Sequence, residues 1–498
     1  MPPIEPSSAV DPLVVALDVG TSSTRAILYD ARARQIAGMD STVSHKLHNT
    51  ADGGVELDTT ELVDSVVLCL QELYRKTGTL ARRVGAVATC TFWHSLVGVN
   101  SSGNAVTPVY LWADVRSRQA AAALRARLDE QQYHARTGCM FHHSYVPPKL
   151  VWLRHSRPDL LERAARWLSF GEYLYRQLLG TDHCSVSMAS ASGLFNQHTQ
   201  DWDNETLREL PIERSQLPLL VGLQEELPPL APTFAARWSS WKTTRWIPAV
   251  GDGATSNIGC GCVDENRLAL MVGTSGAMRV CWQPASFEIV PGLWCYRADR
   301  KRILMGGALS NGGILIPWLR ETFNLPPAPQ LENLISKLKP DSHGLTVLPF
   351  LLGERSPEWA DHARGAISGF TLQTTPVQVA QAFLEAVACR FALIEQLLKG
   401  IVARKAQVIA TGGALLASNV WKQMMADALG RPILASEETE ASSRGAALLA
   451  LRALGVIDQF EDLPAAIGRE YRPNWDNHEI YQKALDRQKK MFRELVGG

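Results

Sequence analysis

The tetrapeptide Val19-Gly20-Thr21-Ser22 returns in the second half of the chain as Val272-Gly273-Thr274-Ser275. Each copy follows a short apolar run, Leu13-Val14-Val15-Ala16-Leu17 in one case and Leu268-Ala269-Leu270-Met271 in the other. Each precedes a second strand-like run, Thr24 to Tyr29 and Ala277 to Trp282. The pattern predicts two β-hairpins with glycine turns, unlike the Walker and Rossmann fingerprints, in which the glycine turn opens a helix. Glycine lets a backbone approach an anion closely, and the amides and Thr/Ser hydroxyls point donors at it. Two such loops, one per half, predict two similar domains clamping one polyphosphate between them. The copies differ at one place: Asp18 precedes the first and Met271 the second. Only the first half therefore supplies a carboxylate near a phosphate-bound cation.

A chain of 498 residues, 46% of them hydrophobic, has length and apolar content for two or three domains. Fifty basic residues balance fifty acidic ones, which leaves no electrostatic footprint for nucleic acid or an anionic membrane. The nine cysteines include no C-x-x-C pair, and the Cys260/Cys262 spacing suits neither a zinc knuckle nor a redox motif. Free thiols in a reducing compartment are expected. Residues 1–12 lack the basic flank and apolar core of a signal peptide, and no uninterrupted apolar run reaches membrane-spanning length. The expectation is a cytoplasmic globular protein.

Beyond the first hairpin, Gln35 to Val43 reads as a third strand. Glu61 to Lys76 reads as a helix with Leu62, Val66, Cys69, Leu70 and Leu73 on one face, and Val84 to Thr91 as a strand. Strands, helix, strand predicts a mixed α/β sheet. Residues 115–245 read as an elaboration of the first domain, giving domains at 12–250 and 251–498. In the second half, strands are expected near Leu293 to Tyr296, Arg302 to Met305 and Val408 to Ala410. Helices are expected over Pro376 to Leu398, through Trp421 to Met425, over Arg444 to Leu454 and over His478 to Leu495.

Asp252, between Gly251 and Gly253 on a turn ahead of a helix, exposes a carboxylate that a ligand can approach. Such an Asp serves either as the proton acceptor of phosphoryl transfer or as a helix N-cap. His142-His143 hints at a metal, but adjacent side chains diverge and no third ligand lies near in sequence, so both read as loop residues at a substrate rim.

Eight segments then fall in one order: ALDVGTSSTRAIL (16–28), LWADVRS (111–117), AVGDGATSNIGCG (249–261), VGTSGAM (272–278), SNGGIL (310–315), LPFLLGERSPEWADHARG (348–365), ATGGAL (410–415) and SSRGAALLA (442–450). In that order they resemble the FGGY family of carbohydrate kinases, within the actin and hexokinase superfamily, over roughly residues 12 to 495. The resemblance implies two ribonuclease-H-like domains with a cleft between them, using ATP and Mg²⁺.

It further implies that Asp252 is the catalytic base and that Asp18 holds Mg²⁺ through water. Gly20, Thr21, Ser22, Ser23 and Arg25 would cradle the β- and γ-phosphates, with Gly273, Thr274 and Ser275 on the other side. Asn311 and Gly313, then Gly412, Gly413 and Ala414, then Ser418 and Asn419, match segments around the α-phosphate and adenosine. Trp93, His94, Asp114 and Arg116 match the sugar-binding segments, while Gly353 to Pro357 reads as an organiser of the domain interface.

The expected partner is a small sugar or sugar acid, and a homodimer is left open. The substrate signals are divided. The Trp-Ala-Asp-x-Arg-Ser segment, Asn311-Gly312-Gly313 and Trp359 lean to D-gluconate, whose carboxylate Arg116 would meet. His94 leans to xylulose, so a kinase of a ketose or polyol is the alternative. A reading of a different class is a non-catalytic ATP-binding switch or filament protein of the actin-like superfamily.

Overall fold

The computed structural model describes residues 2–497. Strands β1 (Leu13–Val19), β2 (Ser23–Tyr29) and β3 (Gln35–Ser44) form an antiparallel meander. Helix α1 (Thr59–Thr77) follows, and then β4 (Val84–Thr91) and β5 (Arg245–Gly251) extend the sheet in parallel. The strand order is β5-β4-β1-β2-β3. Leu13 to Leu17 are all buried, which is why β1 reads as an unbroken apolar run rather than an alternating one. Helix α1 is started by Asp58, whose carboxylate accepts from the Thr60 and Glu61 amides, and it buries Leu62, Val66, Cys69, Leu70 and Leu73.

The second half opens with α2 (Asp252–Gly259), then β6 (Arg267–Val272), β7 (Gly276–Trp282), β8 (Trp294–Arg297) and β9 (Ile303–Leu309). After α3 (Pro376–Leu398) come β10 (Gln407–Thr411), α4 (Asn419–Leu429), β11 (Ile433–Ser436), α5 (Ala441–Ala453), β12 (Ile467–Tyr471) and α6 (Trp475–Leu495). The sheet order is β8-β9-β7-β6-β10-β11-β12. Its middle, β9-β7-β6-β10-β11, repeats the first sheet strand for strand and direction for direction. The repeated tetrapeptide thus marks a repeated topology.

Residues 115–245 add short helices and two-stranded pairs, and their buried side chains join the core of β1 and β4. Helix α3 is long and apolar enough to cross a membrane. It carries Glu385, Arg390 and Glu395 and is almost wholly buried, so here it is a core helix.

The two halves are joined by α2 and α5. Although α5 lies late in the chain, Ala446 to Ala453 pack into the first core, against β1 and β4. The crossing of α2 and α5 is made at glycines. A Cβ on Gly259 would sit 1.7 Å from the Ala441 carbonyl oxygen, and one on Gly445 would sit 1.9 Å from that of Thr255. Backbone meets backbone, so no side chain can yield. Arg444 closes the junction: its buried guanidinium donates to the Gly259 carbonyl at 2.7 Å and to Leu463 at 2.8 Å. A cation there also complements the C-terminal dipole of α2.

Gly445→Ala is expected to force these helices apart and to destabilise the protein by about 1–3 kcal/mol, the usual effect of overpacking. Gly400→Ala, whose Cβ would meet nothing within 4 Å, is expected to change stability by no more than about 1 kcal/mol. Urea unfolding of both variants checks this, and equal losses would show that the crossing is not the tight point.

Candidate active site

The sheet register brings the two key carboxylates to one edge. Asp18 on β1 and Val250 on β5 both stand beside Cys90 of β4, so Asp18 and Asp252 emerge at the C-terminal ends of parallel strands. Asp252 is the first residue of α2, and Gly251 occupies the N-cap position with no side-chain bond. Asp252 is therefore not the cap; its carboxylate accepts from the neighbouring Gly253 amide at 2.8 Å, and the Trp93 backbone also favours its ionised form. Gly251 and Gly253 are glycines because the Trp93 indole lies against them: Cβ atoms there would come within 1.8 and 2.4 Å of its ring.

Burial raises the pKa of Asp252, opposed chiefly by the Arg279 guanidinium. Burial likewise pushes Asp18 up to about 6, with the charge of Asp252 adding to the rise. The Cys90 thiol, 3.2 Å from the Asp18 carboxylate, and Arg25 pull the other way. The oxygens of Asp18 are of the kind a hard cation takes.

Both glycine turns are three-residue loops, Gly20-Thr21-Ser22 and Gly273-Thr274-Ser275. The second is braced from behind, where the Gly313 amide donates to Gly273 at 2.7 Å and that of Ile314 to Thr274 at 3.1 Å. A Cβ on Gly313 would strike Ala414, so loops 273–275, 311–313 and 412–414 meet, and Gly413 alone among these glycines faces open space. Ser23 begins β2.

A cavity of about 340 Å³ lies between the halves. Its walls include Trp93, His94 and Tyr145 from the first half and Asp252, Arg279 and Arg355 from the second. The His94 Nδ1 donates to the Ala191 carbonyl at 2.7 Å, and burial lowers the ring pKa to about 3, so Nε2 is an unprotonated acceptor. His94 adopts φ 65°, and its own carbonyl accepts from the buried Lys149 Nζ at 2.8 Å. Lys149 also donates to Ser144, tying two cavity-lining segments together, and burial brings its pKa to about 7. Tyr145 and Tyr296 share a 2.7 Å hydroxyl contact beside Trp359.

Several expected residues stand elsewhere. Arg116 does not line the cavity. Its guanidinium pairs with Asp114 and Glu56 and stacks on Trp152 at 4.7 Å, so it has no free face for a substrate carboxylate. Asp114 is the buried half of that pair. Arg25 pairs with Glu440 at 2.9 Å, across the two halves of the chain. The Asn311 amide group is used by the Leu352–Gly353 backbone. Ser418 caps α4 and donates to Glu332, and Asn419 accepts from Tyr471; Asn419 lines a different cavity.

The loop read as an interface organiser instead sends Arg355 into the cavity, over the Trp112 ring. His142 and His143 do not diverge: their rings lie 3.9 Å apart, and Asp361 stands 3.7 Å from His143. Sequence reasoning missed Lys149, Arg279 and Arg355. Arg355 lay inside a quoted motif, and Arg279 follows VGTSGAM by one residue.

These features define a kinase of the two-domain, actin-like kind. The family model for the FGGY carbohydrate kinases matches in both parts, its N-terminal domain over residues 13–259 and its C-terminal domain over 268–454, and the chain belongs to that family. It is thus a phosphotransferase acting on small carbohydrates, and kinases of this family use ATP. A gluconokinase of Bacillus subtilis (strain 168) is 28% identical, over 92% of this chain and 91% of its own. The crystal structure of a gluconate kinase from Lactobacillus acidophilus superposes with a TM-score of 0.89 at 28% identity, covering 97% of this chain and 98% of its own. A ligand-bound xylulose kinase from the same organism gives 0.89 at 27%, with the same coverage.

Asp18 has a checkable consequence in the metal-free protein. Its folded pKa exceeds the ordinary 3.8, so ionising it works against folding: stability falls as pH rises from about 4 through 6. Asp18→Asn removes that penalty. Its expected gain at pH 7.5 is at most about 3 kcal/mol, shrinking towards zero near pH 4. Urea unfolding at both pH values measures it; no gain at pH 7.5 would contradict the assignment.

Proposed function

We propose that the protein phosphorylates the terminal primary hydroxyl of a sugar acid, D-gluconate fitting best, with MgATP as donor. The observation that carries the acid is Arg355. Its guanidinium lies half-buried in the cavity wall, donates among the described residues to the Leu309 carbonyl at 3.1 Å, and leaves a buried Nε without a partner. Its charge acts on His94, Tyr145 and Tyr296, the hydrogen-bonding wall of the cavity. A planar guanidinium in such a place suits a carboxylate, which it can meet through two parallel hydrogen bonds. The domain division is part of the same reading: residues 12–250 hold the acceptor and the first phosphate loop, and residues 251–498 hold the nucleotide.

The mechanism follows from the residues. The acceptor lies along the aromatic wall with its polyol face towards the His94 Nε2 and its terminal hydroxyl at Asp252. Asp252 takes the hydroxyl proton as the oxygen attacks the γ-phosphorus. Asp18 would hold Mg²⁺, which neutralises phosphate charge when bound. The two hydroxyl-bearing loops, Gly20 to Ser23 and Gly273 to Ser275, hold the polyphosphate from opposite sides. Asn311, Gly412, Gly413 and Ala414 border the rest of the nucleotide. The buried cleft limits water as a competing acceptor.

Asp252→Asn is expected to lower kcat about 10²–10⁴-fold while ADP affinity stays within about twofold. Arg355→Lys is expected to raise KM for D-gluconate at least tenfold more than for D-xylulose, because an ammonium cannot reproduce the planar fork. Steady-state kinetics on both acceptors checks the pair. An equal loss on both acceptors would remove the argument for an acid.

A further inference from the structure

Arg279 is a buried cation with no close anionic partner among the described residues. It sits on β7, where Met278 and Val280 point into the second core while Ala277, Arg279 and Cys281 take the opposite face, on which Ala277 and Cys281 join the first core and Ala277 and Arg279 line the cavity. It is only 5% exposed. Among the described residues its guanidinium makes no hydrogen bond and no ion pair, and Nε is buried without a partner. Among the groups whose charge bears most on it, Asp252 is the one carboxylate, beside the thiols Cys260, Cys262 and Cys281. Gly253 gives it passage, since a Cβ there would come within 2.6 Å of Nη1. Burying a cation without a close partner costs several kcal/mol. The guanidinium nonetheless lines the cavity beside the proton acceptor.

We infer that Arg279 is a catalytic residue whose charge passes from Asp252 to the transferring phosphoryl group. The chemistry balances as follows. The acceptor oxygen forms a bond to the γ-phosphorus, the bond from that phosphorus to the β-phosphate oxygen breaks, and the electron pair leaves with the nucleoside diphosphate. The acceptor proton goes to Asp252, which becomes neutral. At that moment Arg279 loses its one carboxylate, while the phosphoryl oxygens beside it carry the negative charge. The interaction strengthens as the reaction advances, which is the condition for lowering a barrier rather than merely tightening binding. Arg355, which faces the aromatic wall, serves the acceptor instead. The inference rests on Asp252 as the base and not on the identity of the acceptor.

The test uses Arg279→Met, which keeps the volume and removes the charge, and Arg279→Lys. With Arg279→Met, kcat is expected to fall about 10²–10³-fold on every acceptor the wild type uses, acid or neutral. Arg279→Lys should recover part of the loss. A second readout is binding alone: affinity for MgADP with aluminium fluoride and acceptor, followed by tryptophan fluorescence, should fall by a comparable factor, while affinity for MgADP stays within about twofold. The melting temperature of Arg279→Met should equal or exceed that of the wild type, because an uncompensated buried charge is gone.

A loss confined to sugar acids would overturn the inference and make Arg279 an acceptor ligand. A lowered melting temperature with kcat retained would overturn it in favour of a structural role. If gluconate is not the acceptor but both readouts still fall with the acceptor that is used, the substrate reading fails and the inference stands.

Discussion

The close crossing of α2 and α5 is the constraint on which the rest depends. Asp252 is the first residue of α2, and the far end of the same two-turn helix is pressed against α5 at Gly259 and Gly445. Helix α5 belongs by chain order to the second half yet packs on the first sheet, so the crossing fixes the Asp252 carboxylate relative to both sheets at once. Arg444 locks it by donating from α5 to the last carbonyl of α2 and onward to the segment at 463–464. Asp18 is brought to the same place by strand register, through Cys90 between β1 and β5. A helix crossing and a sheet register together set the two carboxylates.

The cleft is electrostatically unfinished. Asp18 and Asp252 both have pKa values raised by burial, while Arg279, buried, and Arg355, half-buried, each keep an Nε without a partner among the described residues. Such groups are costly to the folded chain, and a metal ion, a polyphosphate and an acid substrate are the species that would satisfy them. The walls around them are, by contrast, anchored to the backbone. Lys149 binds two carbonyls, the His94 Nδ1 binds a third, and Trp93 is fixed by its indole nitrogen at 3.1 Å from the Ser187 carbonyl. Rigid walls around uncompensated charges are what preorganised phosphoryl transfer requires.

Much of this was legible in the chain. The repeated tetrapeptide marked both hairpins, and the apolar runs marked the strands β1, β4 and β10 because those strands are buried on both faces. The helix α3 was readable to the residue, since Pro376 opens it and its apolar pattern runs unbroken to Leu398. Individual side chains of the cleft were less so. Arg116 sits in a segment that resembles a sugar-binding one, but Glu56, sixty residues away, claims its guanidinium, and no local spacing reveals that. Arg355 was visible inside a motif, yet only the tertiary fold turns it towards the cavity. His142 and His143 were expected to diverge, but a tight turn closed by the Tyr145 amide and His142 carbonyl stacks them. Long-range packing decided where Arg116 and Arg355 lie, and a local turn decided the histidine pair.

The most direct measurement is acceptor-dependent ADP release, with the product identified by phosphorus NMR, compared across D-gluconate, D-xylulose and glycerol. The structure predicts the highest kcat/KM for D-gluconate and a phosphate monoester on its terminal primary carbon. Higher kcat/KM for either neutral acceptor, or ADP release that no acceptor stimulates, would contradict it.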